Sequence, residues 1–164
     1  MELARKYNVR LHVLHLSTAK ELELFEQGTD FEKKRITAEV CIHHLFFDQR
    51  AYEDRGTRIK CNPAIKSSGD RAALIEAVQE NRIDVIATDH APHTLKEKQS
   101  SYLKAPSGLP LVQDALVCLL EHVHDGTFTL PLIAEKTAHA PARLFRLKDR
   151  GFLREGYWAD LTLV

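Results

Sequence analysis

Hydrophobic positions fall in short dense runs separated by longer stretches of helical period. Three runs read as buried strands: Arg10 to Leu16, Arg35 to Ile42 and Asp84 to Thr88. Apolar and β-branched residues packed this closely between turn formers are the pattern of parallel strands covered on both faces. Between them the period changes. Ala19 to Gln27 reads as a helix, capped by Ser17 or Thr18, with Leu22, Leu24 and Phe25 inward and Gly28 as its stop. Ser68 to about Asn81 reads as another, with Leu74, Ile75 and Val78 on one stripe. Further helices are expected over Gly108 to His124, Leu130 to Lys136 and Pro141 to Leu147, and a closing strand over Gly156 to Val164. Leu109, Leu111, Val112, Leu116, Leu119 and Leu120 form the inward stripe of the Gly108 helix. Such alternation predicts an α/β fold with a parallel sheet.

Chemistry-bearing residues gather where these strands end. In α/β folds ligands bind at the carboxyl ends of the strands, because the loops leaving there form the crevice. The run Asp84-Val85-Ile86-Ala87-Thr88 stops in Asp89-His90-Ala91-Pro92-His93, which makes Asp89 and His93 site candidates. The competing reading of Asp89 is a helix cap or turn former. On the first strand, alternation puts Leu11, Val13 and His15 on one face and His12, Leu14 and Leu16 on the other. His15, at the strand end, is the ligand candidate and His12 is structural. His43 and His44 follow the second strand; extended, they point oppositely, so at most one faces a mouth, and holding a ligand side chain in place or lying in a loop competes with ligation. Pro63 forces Asn62 out of helical conformation, and read alone Asn62 makes an Asx-turn. Thr94 to Ser107 is long enough for an active-site lid, with Lys96, Glu97 and Lys98 as a solvated face. His122 and His124 read as surface residues at a helix C-terminus.

Composition narrows the partners. Lysine plus arginine and aspartate plus glutamate each number 23, which gives no electrostatic reason for nucleic acid or an anionic membrane. A small-molecule substrate and a cytoplasmic location are expected; no run approaches a membrane span and the first residues lack a signal-peptide core. Cys41, Cys61 and Cys118 are odd in number and widely spaced, so reduced thiols in packing roles are expected. No glycine-rich nucleotide motif follows a strand. Strand ends offering His15, the His43/His44 pair and Asp89 suit a metal-assisted hydrolase instead.

The segments His15-Leu16-Ser17-Thr18, Thr37-Ala38-Glu39-Val40 with His43-His44-Leu45, Lys60-Cys61-Asn62-Pro63, Ala87-Thr88-Asp89-His90-Ala91-Pro92-His93, Ala105-Pro106-Ser107-Gly108 and Gly156 with Ala159-Asp160-Leu161 resemble the successive signatures of dihydroorotase, in the amidohydrolase superfamily. The resemblance runs from about Leu11 to Val164. It implies the C-terminal half of a (β/α)8 TIM-type barrel over residues 1–150, and over 151–164 the start of the return to a small β-sandwich domain. It also implies a two-zinc centre, with His15 and Asp89 as metal ligands and Asp89 as catalytic proton shuttle. Asn62, His93, Ser107 and Gly108 would bind dihydroorotate or carbamoyl aspartate, and His43 and His44 match a family motif that does not ligate.

A complete barrel of this kind needs about 250 residues. The family's His-x-His pair, bridging residue and third histidine have no counterpart here, so a longer chain is expected, homodimeric when complete, with this piece inactive alone. Rival readings are a hydantoinase or allantoinase, and an inactive dihydroorotase homologue acting as a structural partner.

Overall fold

A computed structural model describes all 164 residues. Its elements run α1 (Glu2–Lys6), β1 (Leu11–Val13), α2 (Ala19–Leu22), β2 (Ile36–Cys41), α3 (Ile42–Phe46), α4 (Ala51–Arg55), a 3-10 turn (Gly56–Ile59), α5 (Ser68–Gln79), β3 (Val85–Ala87), α6 (Leu95–Lys98), α7 (Ala115–His124), α8 (Leu130–Ala134), a π turn (Glu135–His139) and α9 (Ala140–Leu144). The three strands form a parallel sheet in the order β1-β2-β3, with Leu11 opposite Ile36 and Cys41 opposite Ala87. The expected α/β architecture is therefore present as an arc of barrel, with β1 and β3 each paired on one side.

The two faces of the sheet differ. Ala38, Val40, Ile42 and Ile86 join Leu16, Leu45, Leu74, Val78 and Leu119 in one apolar cluster beneath the helices. Thr37 and Glu39 alternate to the other face. There His12 bridges them, Nδ1 to Thr37 Oγ1 at 2.9 Å and Nε2 to Glu39 Oε2 at 3.1 Å, which accounts for its structural part. Two buried ammonium groups fix the entry to β3. Lys34 Nζ lies 2.6 Å from Asp84 Oδ1, and Asp84 Oδ2 accepts from Ala38 N at 2.9 Å. Lys136 Nζ donates to Ile83 O at 2.7 Å and to Asn81 Oδ1 at 2.9 Å.

Several expectations fail for local reasons. β1 stops at Val13 because His15 turns into the left-handed region at φ 39°, so alternation ends early: Leu16 is buried while Leu14 is exposed. The first helix ends at Leu22, and Leu24 is exposed. α7 begins at Ala115, seven residues later than expected, since Pro110 holds Leu109 extended and Leu109 bridges His90; Val112 is exposed. His122 is buried against Phe128 and is not a surface residue. The two short helices after Leu130 are one rod, joined through the π turn, because Pro141 cannot donate the regular backbone bond. Gly156 to Val164 forms no strand; it finds no neighbouring strand to pair with, and Leu161, Leu163 and Val164 are exposed.

Candidate active site

The strand ends carry the chemistry at one end of the parallel sheet. His15 follows β1 and Asp89 follows β3, and both are non-glycine residues in the left-handed region, at φ 39° and 45°. Each such residue costs about 1 kcal/mol or more, and such conformations cluster at functional sites. Neighbouring bonds hold both turns. Leu16 N donates to Glu39 O at 2.9 Å, and Thr18 forms a reciprocal capping box with Glu21 at the start of α2. After Asp89, Ala91 N donates to Leu109 O at 3.1 Å, and Val112 N donates to His90 Nδ1 at 3.0 Å. His90 is thereby a brace for the turn.

The proposed substrate side is assembled from the loops. His93 Nε2 lies 3.1 Å from Ser107 O; a carbonyl only accepts, so Nε2 carries a proton. Gly108 N donates to Lys60 O at 2.9 Å, two residues before the exposed Asn62. His93, Ser107, Gly108 and Asn62 thus belong to one cluster of loops. Lys98 is buried, contrary to its reading as part of a solvated face. Its Nζ donates to the carbonyls of Lys60, Pro106 and Gly108 at 2.9, 3.0 and 2.9 Å. Lys60 Nζ in turn donates to Tyr102 O and Ala105 O, both at 2.6 Å. The long loop is consequently tied at its base to the segment carrying Asn62. Gly108 has φ +133°, and a Cβ there would meet Ala91 Cβ at 2.5 Å and Ala91 O at 2.6 Å. Only glycine allows that approach.

Between His15 and Asp89 lies the end of β2. The expectation that His43 and His44 diverge is overturned: α3 begins at Ile42 without an intervening loop, so both sit on one helical turn, buried, with ring centroids 4.2 Å apart. Burial, followed by the neighbouring histidines, lowers the pKa of His43 to about 3. Burial also lowers that of His44 to about 4, with His15 acting in the same direction and Asp89 against it. Burial pushes Cys61 up to about 11, and burial with Glu39 and Asp89 raises Cys41. The Asp89 charge thus adds to the raising of Cys41 and Cys61 and opposes burial at His44, while His15 adds to the lowering at both buried histidines. The approach of Cys41 to His43 and His44 has no signal in spacing, whereas His15 and Asp89 are marked by their place after apolar runs.

No protein-family model matches the chain. Curated dihydroorotases match it end to end: that of Methanosphaera stadtmanae is 36% identical over 164 residues, covering 100% of this chain and 37% of its own. That of Latilactobacillus sakei is 38% identical, covering 99% and 38%, and that of Halobacterium salinarum 37% identical, covering 100% and 37%. The chain spans a little over a third of the length of these relatives. Among solved structures, the L-hydantoinase of Arthrobacter aurescens superposes with TM-score 0.86 at 26% identity, over 96% of this chain and 36% of that one. The inactive dihydroorotase-like domain of a Chaetomium thermophilum CAD-like protein shares the fold at TM-score 0.65 and 24% identity, over 89% and 40%. The chain is thus similar from end to end to a little over a third of the length of curated dihydroorotases, and it shares the α/β fold of the corresponding part of a hydantoinase.

Proposed function

We propose that this chain forms one side of the active site of a zinc-dependent dihydroorotase that interconverts N-carbamoyl-L-aspartate and L-dihydroorotate in de novo pyrimidine biosynthesis. The observation that carries it is the pair His15 and Asp89, held in left-handed turns after β1 and β3 on either side of β2. An imidazole nitrogen and a carboxylate oxygen are donors that zinc takes. Two donors are fewer than a zinc site needs, so the remaining ligands of a two-zinc centre belong to strands outside this chain. Residues 1–150 are assigned to the last strands and helices of the barrel, and 151–164 to the return toward a small β domain. The complete enzyme is a cytoplasmic homodimer that uses a small-molecule substrate, without nucleic acid or membrane partners.

Bound zinc would supply a hydroxide at neutral pH and polarise the ring carbonyl. Asp89 takes the proton of the attacking water and returns it to the departing amide nitrogen. His93 is oriented by Nε2–H on Ser107 O, and its ring is assigned to the substrate carboxylate. Asn62 offers an amide donor and acceptor to the ring, and the Ser107–Gly108 backbone shapes its floor.

Hydantoinase action is the second reading, favoured by the Arthrobacter superposition. Assaying the full-length protein on dihydroorotate, hydantoin and allantoin separates the two. Preference for dihydroorotate is expected, with Asp89→Asn lowering kcat by about 10²–10⁴-fold and His93→Ala raising KM for dihydroorotate alone. Preference for hydantoin, or undiminished turnover in Asp89→Asn, overturns the assignment.

A further inference from the structure

We infer that Cys41, His43 and His44 form a cation site of their own at the end of β2, built for a zinc-class d10 ion. The ligand atoms of these three residues lie within 4.8 Å of one another, and all three residues are buried. Buried ring nitrogens ordinarily have hydrogen-bond partners. Here both nitrogens of His43 and Nδ1 of His44 have none.

Hydrogen bonding selects the donor on His44. Its Nε2 lies 3.0 Å from Pro63 O, which can only accept, so Nε2 carries the proton and Nδ1 the lone pair. A ligating histidine ordinarily has its other nitrogen held this way, by a backbone carbonyl or carboxylate. His43, neutral, contributes one further lone pair, and Cys41 the sulfur. A thiolate and two imidazoles are the donor set preferred by borderline and soft cations over Mg2+ or Ca2+. In a tetrahedral zinc site such donors stand about 3.4–3.6 Å apart, so the cluster needs to contract by roughly 1 Å.

Binding replaces the S–H bond of Cys41 by a metal–sulfur bond and releases one proton to solvent. The ion would staple β2 to α3 and, through His44, to the Pro63 loop. Sulfur ligation distinguishes this site from the mouth, where His15 and Asp89 offer only nitrogen and oxygen, so the inference does not rest on the proposed reaction.

The test uses the full-length protein loaded with Co2+. A thiolate-to-cobalt charge-transfer band is expected, lost in Cys41→Ser, weakened in His44→Ala, and retained in Cys61→Ser, Cys118→Ser and Asp89→Asn. A band that survives Cys41→Ser overturns the inference. Should Cys41→Ser fail to fold, X-ray absorption fine structure of the zinc-loaded wild-type protein decides. A sulfur scatterer at about 2.3 Å is expected, and a shell of nitrogen and oxygen alone refutes the site.

Discussion

Replacing Gly108 by alanine tests how the Ser107–Gly108 loop is held against the strand exit. Gly108 and Gly28 share φ +133°, so alanine at either meets the same backbone strain. That strain is worth about 1–3 kcal/mol. Their surroundings differ: nothing lies within 4 Å of a Cβ at Gly28, whereas one at Gly108 falls 2.5 Å from Ala91 Cβ and 2.6 Å from Ala91 O. The carbonyl is backbone and cannot rotate away, because Ala91 N is bonded to Leu109 O beside it. Overpacking of this kind adds about 1–3 kcal/mol, so Gly108→Ala is expected to cost roughly 2–6 kcal/mol in all. Gly28→Ala serves as the control that carries strain alone. Urea unfolding of both variants measures the difference; at an m-value of about 1–3 kcal/mol per molar, Gly108→Ala unfolds roughly 1 M earlier than Gly28→Ala. Coincident midpoints would show that the loop yields freely, and the close approach would then hold nothing in place.

Three other substitutions probe buried charge and pH. Lys98→Met strips the donor from the carbonyls of Lys60, Pro106 and Gly108 and is expected to cost about 3 kcal/mol or more, with faster proteolysis between Gln99 and Ala105 as a second readout. Lys34→Met leaves Asp84 buried beside Ala38 N without its ammonium, a loss of about 3–5 kcal/mol in chemical denaturation; adding Asp84→Asn should recover part of it. Asp70 closes the capping box of α5 and accepts from Ala19 N at 2.9 Å. The Ser67 hydroxyl, then Ala19 N–H, hold its pKa below the usual carboxylate value. Its contribution is therefore present above about pH 3.9 and fades as pH falls through the depressed value. Asp70→Asn should flatten that acid limb and cost about 1 kcal/mol at neutral pH.

What could be read from the residues follows from where the chain is punctuated. β2 and β3 are dense apolar runs between turn formers, and their ends located Asp89 and the two buried histidines. α5 begins at Ser68 as read, with Leu74 and Val78 buried on its stripe, while its cap at Ser67 and Asp70 emerges from the structure. At the two strand exits the misreadings occur where the chain changes conformation with no glycine, proline or asparagine to mark it. Val40-Cys41-Ile42-His43 passes from strand to helix without a turn residue, so His43 and His44 looked extended when they share a helical turn. Leu14-His15-Leu16 leaves β1 through a left-handed histidine, which shifts every later side chain off the expected face. Lys98 sits in a charged stretch like any surface lysine; only the fold brings three carbonyls around it.

The polar face of the sheet shows why completing the barrel and completing the site are one problem. β1 is a three-residue strand, half-buried throughout, with Val9 and Leu14 exposed on its flanks, and β3 is equally short. Each has an unpaired edge, a surface that ordinarily recruits another strand. His12, Thr37 and Glu39 already satisfy one another on the inner face, so that face needs no apolar cover, whereas the edges need backbone hydrogen-bond partners. Under the proposed function the strands that pair with those edges also bring the absent ligands beside His15 and Asp89. Edge pairing and metal binding are then coupled, because donors fixed on paired strands bind an ion more tightly than donors that must first be ordered. The chain by itself is accordingly expected to lack dihydroorotase turnover. Supplying the remaining barrel strands as a separate polypeptide should restore sheet pairing and activity together.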